Sequence, residues 1–164
     1  MKKILIVLLS FMMLTLAFGC KKEEEKLIAY SKGGITVQLP EGLTEDDYAG
    51  YAAAYSNDDF AIEAYVEPFS VLRAFDYDLD TFTLEEYGKE WLKINDMNTQ
   101  FVKDSNNNLY VTYTEDIDGV SNFFYVTIRE GSEGYWNISF STLAENAETY
   151  TKLFEKYSDT IVVE

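Results

Sequence analysis

The chain has 164 residues, with 29 acidic and 13 basic side chains and no histidine, giving a net charge of −16. That balance argues against nucleic acid or an anionic membrane surface as a partner, because both require a basic patch. The single cysteine and the missing histidine exclude an internal disulfide, Ser-His-Asp and Cys-His hydrolases, and a His/Cys zinc site.

The first nineteen residues read as an export signal. Met1-Lys2-Lys3 is a short cationic start, and an apolar run from Ile4 to Phe18 follows, interrupted at Ser10 and Thr15. Gly19 then precedes Cys20. A charged n-region, an apolar h-region and a small residue before the cut mark a secretory signal. The run falls short of the ~20 apolar residues of a comfortable membrane span. A retained N-terminal anchor helix is the other reading.

Leu16-Ala17-Phe18-Gly19-Cys20 resembles the lipobox of bacterial lipoproteins. Those proteins usually carry Leu three residues before the cysteine and a small residue two before it. Here Ala17 and Phe18 hold those places, with Leu16 one position further out. The resemblance implies cleavage before Cys20 and acylation of its thiol, palmitate among the chains. The protein would then sit on the outer, extracytoplasmic face of the cell membrane. Lys21 lacks the Asp associated with inner-membrane retention in two-membrane bacteria.

Cleavage removes Lys2 and Lys3, so 11 basic residues remain against 29 acidic ones, a net charge of −18. Residues 20–26 form the lipidated cysteine and a charged tether, Lys21-Lys22-Glu23-Glu24-Glu25-Lys26, too polar to fold alone. Residues 27–164 form a single domain of common size.

Within the domain, Ile35-Thr36-Val37-Gln38-Leu39 alternates as a half-buried strand, and Pro40-Glu41-Gly42 ends it. Tyr48 to Tyr55 and Phe60 to Val66 flank Ser56-Asn57-Asp58-Asp59 and predict a hairpin. Phe69 to Asp80 is ambiguous. Thr83 with Glu86 is a capping box, opening a helix with Leu84, Tyr87, Trp91 and Ile94 on its apolar face. Three strands follow over Leu109–Thr114, Asn122–Arg129 and Tyr135–Ser141, with Asp118-Gly119 as a hairpin turn. A second helix covers Ala144 to Ser158, with Ala147, Tyr150, Leu153, Phe154 and Tyr157 inward, and Ile161-Val162-Val163 is a last strand.

Strands, helix, meander, helix and strand predict an α+β fold with an antiparallel sheet. Gly34-Ile35-Thr36-Val37-Gln38-Leu39-Pro40-Glu41-Gly42 resembles the opening of PsbP-like domains. The hairpin from Tyr125-Val126-Thr127-Ile128 to Gly134-Tyr135-Trp136, followed by an aromatic helix and a short strand, is similar too. The resemblance implies an α/β/α sandwich around a curved antiparallel sheet. It extends over Ile28 to Val163 to uncharacterised small lipoproteins of Gram-positive gut bacteria. It implies no shared active site and no cofactor.

Candidate sites are few. Asp76, Asp78 and Asp80 occupy positions one, three and five of a calcium loop, but Thr81 and Tyr87 stand where Gly and Glu belong. A solvated acidic loop is the alternative. Glu115, Asp116 and Asp118 surround an exposed turn, where burial would not split their pKa values as acid/base work needs. Tyr48, Tyr51 and Tyr55 near one hairpin, together with Trp91, are the candidates for an aromatic binding surface. Asn137-Ile138-Ser139 fits a glycosylation sequon, which a bacterial lipoprotein does not normally use. Arg129 is expected in a surface pair with Glu130 or Glu133. No catalytic residue is predicted. The expected role is a non-enzymatic accessory or binding module for a protein or peptide partner. The alternative is capture of a solute or cation.

Overall fold

The computed structural model describes residues 26–164. The signal, Cys20 and most of the tether lie outside them. Ten strands and three helices follow one another. They are β1 (Leu27–Lys32), β2 (Ile35–Pro40), β3 (Thr44–Glu45), β4 (Ala53–Ser56), β5 (Phe60–Pro68), α1 (Phe69–Ala74), α2 (Leu84–Ile94), β6 (Val102–Lys103), β7 (Leu109–Ile117), β8 (Val120–Glu130), β9 (Gly134–Leu143), α3 (Ala147–Ser158) and β10 (Val162–Val163). No helix among them is long and apolar enough to cross a membrane.

Seven strands form an open antiparallel sheet in the order β3-β4-β5-β9-β8-β7-β6. β1, β2 and β10 make a smaller sheet. The α+β prediction therefore holds. β1, β3 and β6 escaped the sequence reading. β3 and β6 have two residues each, too few to show a period.

Strand alternation divides the large sheet into two faces. One face carries Ile62 and Ala64 of β5, Ile138 and Phe140 of β9, and Tyr125 of β8, all buried. α3 lies over it and presents Phe154 and Tyr157, as its helical spacing predicts. Ile35, Val37 and Leu39 of β2 join the same cluster. On the other face, Tyr135 stacks on Tyr87 of α2 at 4.8 Å and donates its hydroxyl to the Phe82 carbonyl at 2.6 Å. Those contacts hold α1, α2 and the loop between them against one half of the sheet.

Local chemistry sets the ends of the helices. Pro68 precedes α1, where its missing N–H costs nothing. α1 stops at a Schellman motif: Asp76 takes a left-handed φ of 64°, Asp76 N–H reaches the Arg73 carbonyl at 3.1 Å, and Tyr77 N–H reaches Leu72 at 3.1 Å. α2 stops the same way through Asp96, with φ 54° and Met97 N–H on the Leu92 carbonyl at 2.9 Å. At its start the Thr83–Glu86 capping box is closed in both directions, with Thr83 N–H on Glu86 at 2.7 Å and Glu86 N–H on Thr83 at 3.3 Å. Thr83→Ala should lower stability by about 1 kcal/mol and Thr83→Gly by only a few tenths, measured by chemical unfolding.

Two expectations need correction. Tyr48 to Tyr55 is not one strand: β4 starts at Ala53, and a turn closed by Tyr51 N–H on the Tyr48 carbonyl at 3.2 Å precedes it. Gly50, at φ 93°, supplies the left-handed position of that turn. Arg129 is not in a surface pair. It is partly buried and spends its guanidinium on the Ile128 carbonyl at 3.0 Å and on the Ser158 hydroxyl at 2.9 Å, with Thr127 also in contact. It ties β8 to the end of α3, and burial lowers its pKa.

Candidate functional site

Beyond α2 the second face of the large sheet is uncovered. β5 and β9 lie side by side there, with Glu63 opposite Ser139 and Tyr65 opposite Asn137. A cavity of about 550 Å³ stands on this floor. Tyr51 and Gly50 rim it on one side, Trp91 and Asn95 from the end of α2 on another, and Tyr113 and Phe124 on a third. Tyr113 and Phe124 stack at 4.9 Å, an aromatic wall on neighbouring strands.

Glu63 is the unusual group. An inner strand of a sheet rarely offers a half-buried carboxylate. Burial raises its pKa, the Tyr51 hydroxyl bonds to it and partly counters that, and Asp46 raises it further. The carboxylate in turn raises Tyr51. Burial pushes Tyr113 up to about 12, helped by Glu115 and Glu63. An acid whose folded pKa is raised adds stability below its ordinary value of 4.5 and loses it as pH climbs through the raised value. Glu63→Gln should therefore melt higher than wild type at pH 7, with the difference closing as pH falls toward 4.5. Melting scans across that range check it; a difference independent of pH would contradict it.

Asn137 completes the floor. It is 8% exposed, and its side-chain nitrogen has no hydrogen-bond partner. The Tyr87 phenol is the polar group beside it, close enough that the amide partly counters the upward push of burial on the Tyr87 pKa. A buried unpaired donor costs roughly 1–3 kcal/mol, so its position facing a cavity needs a reason.

A second cavity of about 490 Å³ adjoins the first, between α1 and α2. Leu72, Phe75, Tyr77, Phe82, Tyr87 and Ile94 give it an apolar lining. Tyr65, Trp91 and Asn95 line both cavities, so the two form one groove. Phe75 and Ile94 stand at its mouth, 73% and 77% exposed. The prediction of Ile94 on the buried stripe is thereby corrected: it lies in the last turn of α2, where the helix has run past the covered sheet. On the other side of α2, Lys89 and Lys93 line a smaller hollow of about 320 Å³.

The groove contains two of the four predicted aromatic candidates, Tyr51 and Trp91. Tyr48 is exposed and packs edge-on against Tyr51 at 6.4 Å. Tyr55 is the exception, 5% exposed on the α3 face and packed on Tyr30 at 5.0 Å. The turn at Gly50 resets the alternation, so Tyr51 and Tyr55 part. Asp76, Asp78 and Asp80 lie on the α1–α2 loop. Asp76 terminates α1, and Asp78 accepts from Asp80 N–H at 3.1 Å. Among the described residues no three acidic side chains gather closely enough to hold a metal ion. Glu115, Asp116 and Asp118 are exposed on the β7–β8 hairpin. Sequence reasoning missed Glu63, and read Asn137 only as the start of a sequon. Period-two alternation along β5 and β9 was the available signal for both.

No family model matches the chain, and no curated protein matches it either. Solved structures do. The solution structure of cyanobacterial PsbP (CyanoP) from Synechocystis sp. PCC 6803 is similar at a TM-score of 0.50 and 13% identity, over 92% of this chain and 99% of that one. The fold is PsbP-like. The Ran-binding protein Mog1p of Saccharomyces cerevisiae is similar at 0.56 and 11% identity, over 85% of this chain and 96% of its own. A Bacteroides thetaiotaomicron protein is similar at 0.52 and 19% identity, over 86% of this chain but 49% of its own. This PsbP-like chain thus spans about half the length of that protein. At these identities the likeness concerns the fold, and function has to be argued from the groove.

Proposed function

We propose that this chain is a non-catalytic accessory or binding module, held by lipid on Cys20 at the extracytoplasmic face of the membrane, that docks a protein or peptide partner. The observation that carries the docking is the groove across α2, with Phe75 and Ile94 exposed at its mouth. Large apolar side chains gathered around a cleft mark an interaction site on a soluble domain. Mog1p, with the same fold, is a Ran-binding protein, so this architecture supports protein recognition elsewhere. Within the groove Glu63 is bonded by the Tyr51 hydroxyl, and Asp46 raises its pKa further. The anchoring rests on residues 1–20 as a sequence: cationic start, apolar run and lipobox-like end.

A photo-reactive phenylalanine analogue at Ile94 of the full chain in membranes tests the docking. A discrete cross-linked product from Ile94, and none from Val162 on the small sheet, is expected. No product from either position would contradict it.

A further inference from the structure

We infer that the groove takes an extended peptide segment in which a bulky apolar side chain lies close to a lysine or arginine. This rests on the docking reading above and names the chemistry of the partner.

Three observations require it together. The first is charge: Glu63 and Glu115 line one half of the groove and Glu67 the other, with no lysine or arginine in the lining; Glu90, also there, is already paired with Lys93 at 3.0 Å. A cationic side chain is thus drawn in, and the rings of Trp91 and Tyr113 beside Glu63 offer it faces to rest on. The second is the unpaired nitrogen of Asn137. A donor buried to this degree on a cavity floor awaits an acceptor, and a peptide carbonyl is one. A free amine brings no acceptor. The third is the apolar half between α1 and α2, which Phe75 and Ile94 flank. A sugar would leave it empty. A peptide supplies all three partners from one chain, because successive side chains of an extended segment diverge to opposite sides while its carbonyls remain free to bond.

The groove also explains a local conflict in the fold. Glu63 on an inner strand and an unsatisfied Asn137 both destabilise the free protein. Features of that kind persist where a ligand satisfies them.

The test uses the full chain in phosphatidylcholine nanodiscs and the fluorescence anisotropy of labelled Gly/Ser peptides. Each peptide carries one Leu and one Lys at varied spacing, and matched peptides carry Lys→Glu or Leu→Ser. At least one spacing should bind saturably. Either peptide change should weaken that binding about tenfold, a loss expected for one buried contact. Glu63→Gln and Asn137→Ala should each weaken it severalfold. The Glu63→Gln loss is not a folding loss, since that variant is expected to melt higher at neutral pH. Raising the salt should weaken the Lys peptide and, by screening repulsion from the acidic lining, leave the Glu peptide no weaker.

Equal binding of the Lys and Glu peptides, or no effect of either variant, overturns the proposal. Competition by putrescine as strong as that of the unlabelled peptide would assign the site to a free amine and overturn it as well. If no peptide binds while Ile94 still cross-links to a partner, the peptide chemistry is wrong and the docking reading stands. If both fail, both are wrong.

Discussion

Phe154→Ala should cost about 4 kcal/mol of stability, enough to remove a large share of what holds a domain of this size folded. Phe154 has no exposed surface. Its ring lies 5.1 Å from Phe140, 5.2 Å from Tyr150 and 5.7 Å from Phe60, with Phe123 and Tyr125 at 6.5 Å. It is the point where α3 joins β5, β8 and β9. Truncation loses the transfer energy of the ring and leaves a cavity that aromatic neighbours on a rigid sheet cannot collapse to fill. Phe154→Leu keeps most of the volume and should cost under half as much. Urea unfolding of both variants measures the difference. Equal small losses would mean that α3 does not carry the core.

Cys20→Ala should raise the mass of the protein to that of the uncleaved precursor and abolish its acyl label, and whether mass and label change from the parent chain separates the readings of the N-terminus. A lipoprotein signal is cut only once its cysteine is acylated, so under the proposed anchoring the variant accumulates at the mass of the precursor and loses its acyl label. Under that reading two or three acyl chains, at about 0.8 kcal/mol per buried CH₂, would hold the mature chain, since a single chain binds marginally. An unchanged mass and unchanged membrane fraction, with no acyl label in the parent chain, would instead favour a retained anchor helix. The tether between Cys20 and Leu27 is short in sequence, so lipid anchoring would keep the domain near the bilayer surface. The mature charge of −18 would discourage the domain from lying on anionic headgroups.

What the sequence made legible was local. The Thr83–Glu86 box, the Asp118-Gly119 turn and the inward face of α3 are each set by residues within four positions of one another. The groove is not. Glu63 and Ser139 meet because β5 pairs with β9 across more than seventy positions. Glu63 read alone is an acid in a strand, and Asn137 read alone is a sequon. Trp91 reads in the sequence as one candidate for an aromatic binding surface, and its place between two cavities depends on where α2 crosses the sheet. Tyr55 was misread for a different reason. A single left-handed residue, Gly50, shifts the strand start to Ala53, and period-two alternation then sends Tyr55 into the core. The Asp76–Asp80 loop shows the converse: acids spaced like ligands serve as a helix stop and a turn.

The two tryptophans give the most direct test of where a partner sits. Trp91 lines the groove, and Trp136 is 4% exposed on the α3 face. In a ¹⁵N–¹H spectrum each indole gives its own resonance. Addition of the binding peptide should move the Trp91 indole signal and leave that of Trp136 in place. A stationary Trp91 signal, with amides of β1, β2 and β10 shifting instead, would put the docking surface on the small sheet and contradict the account.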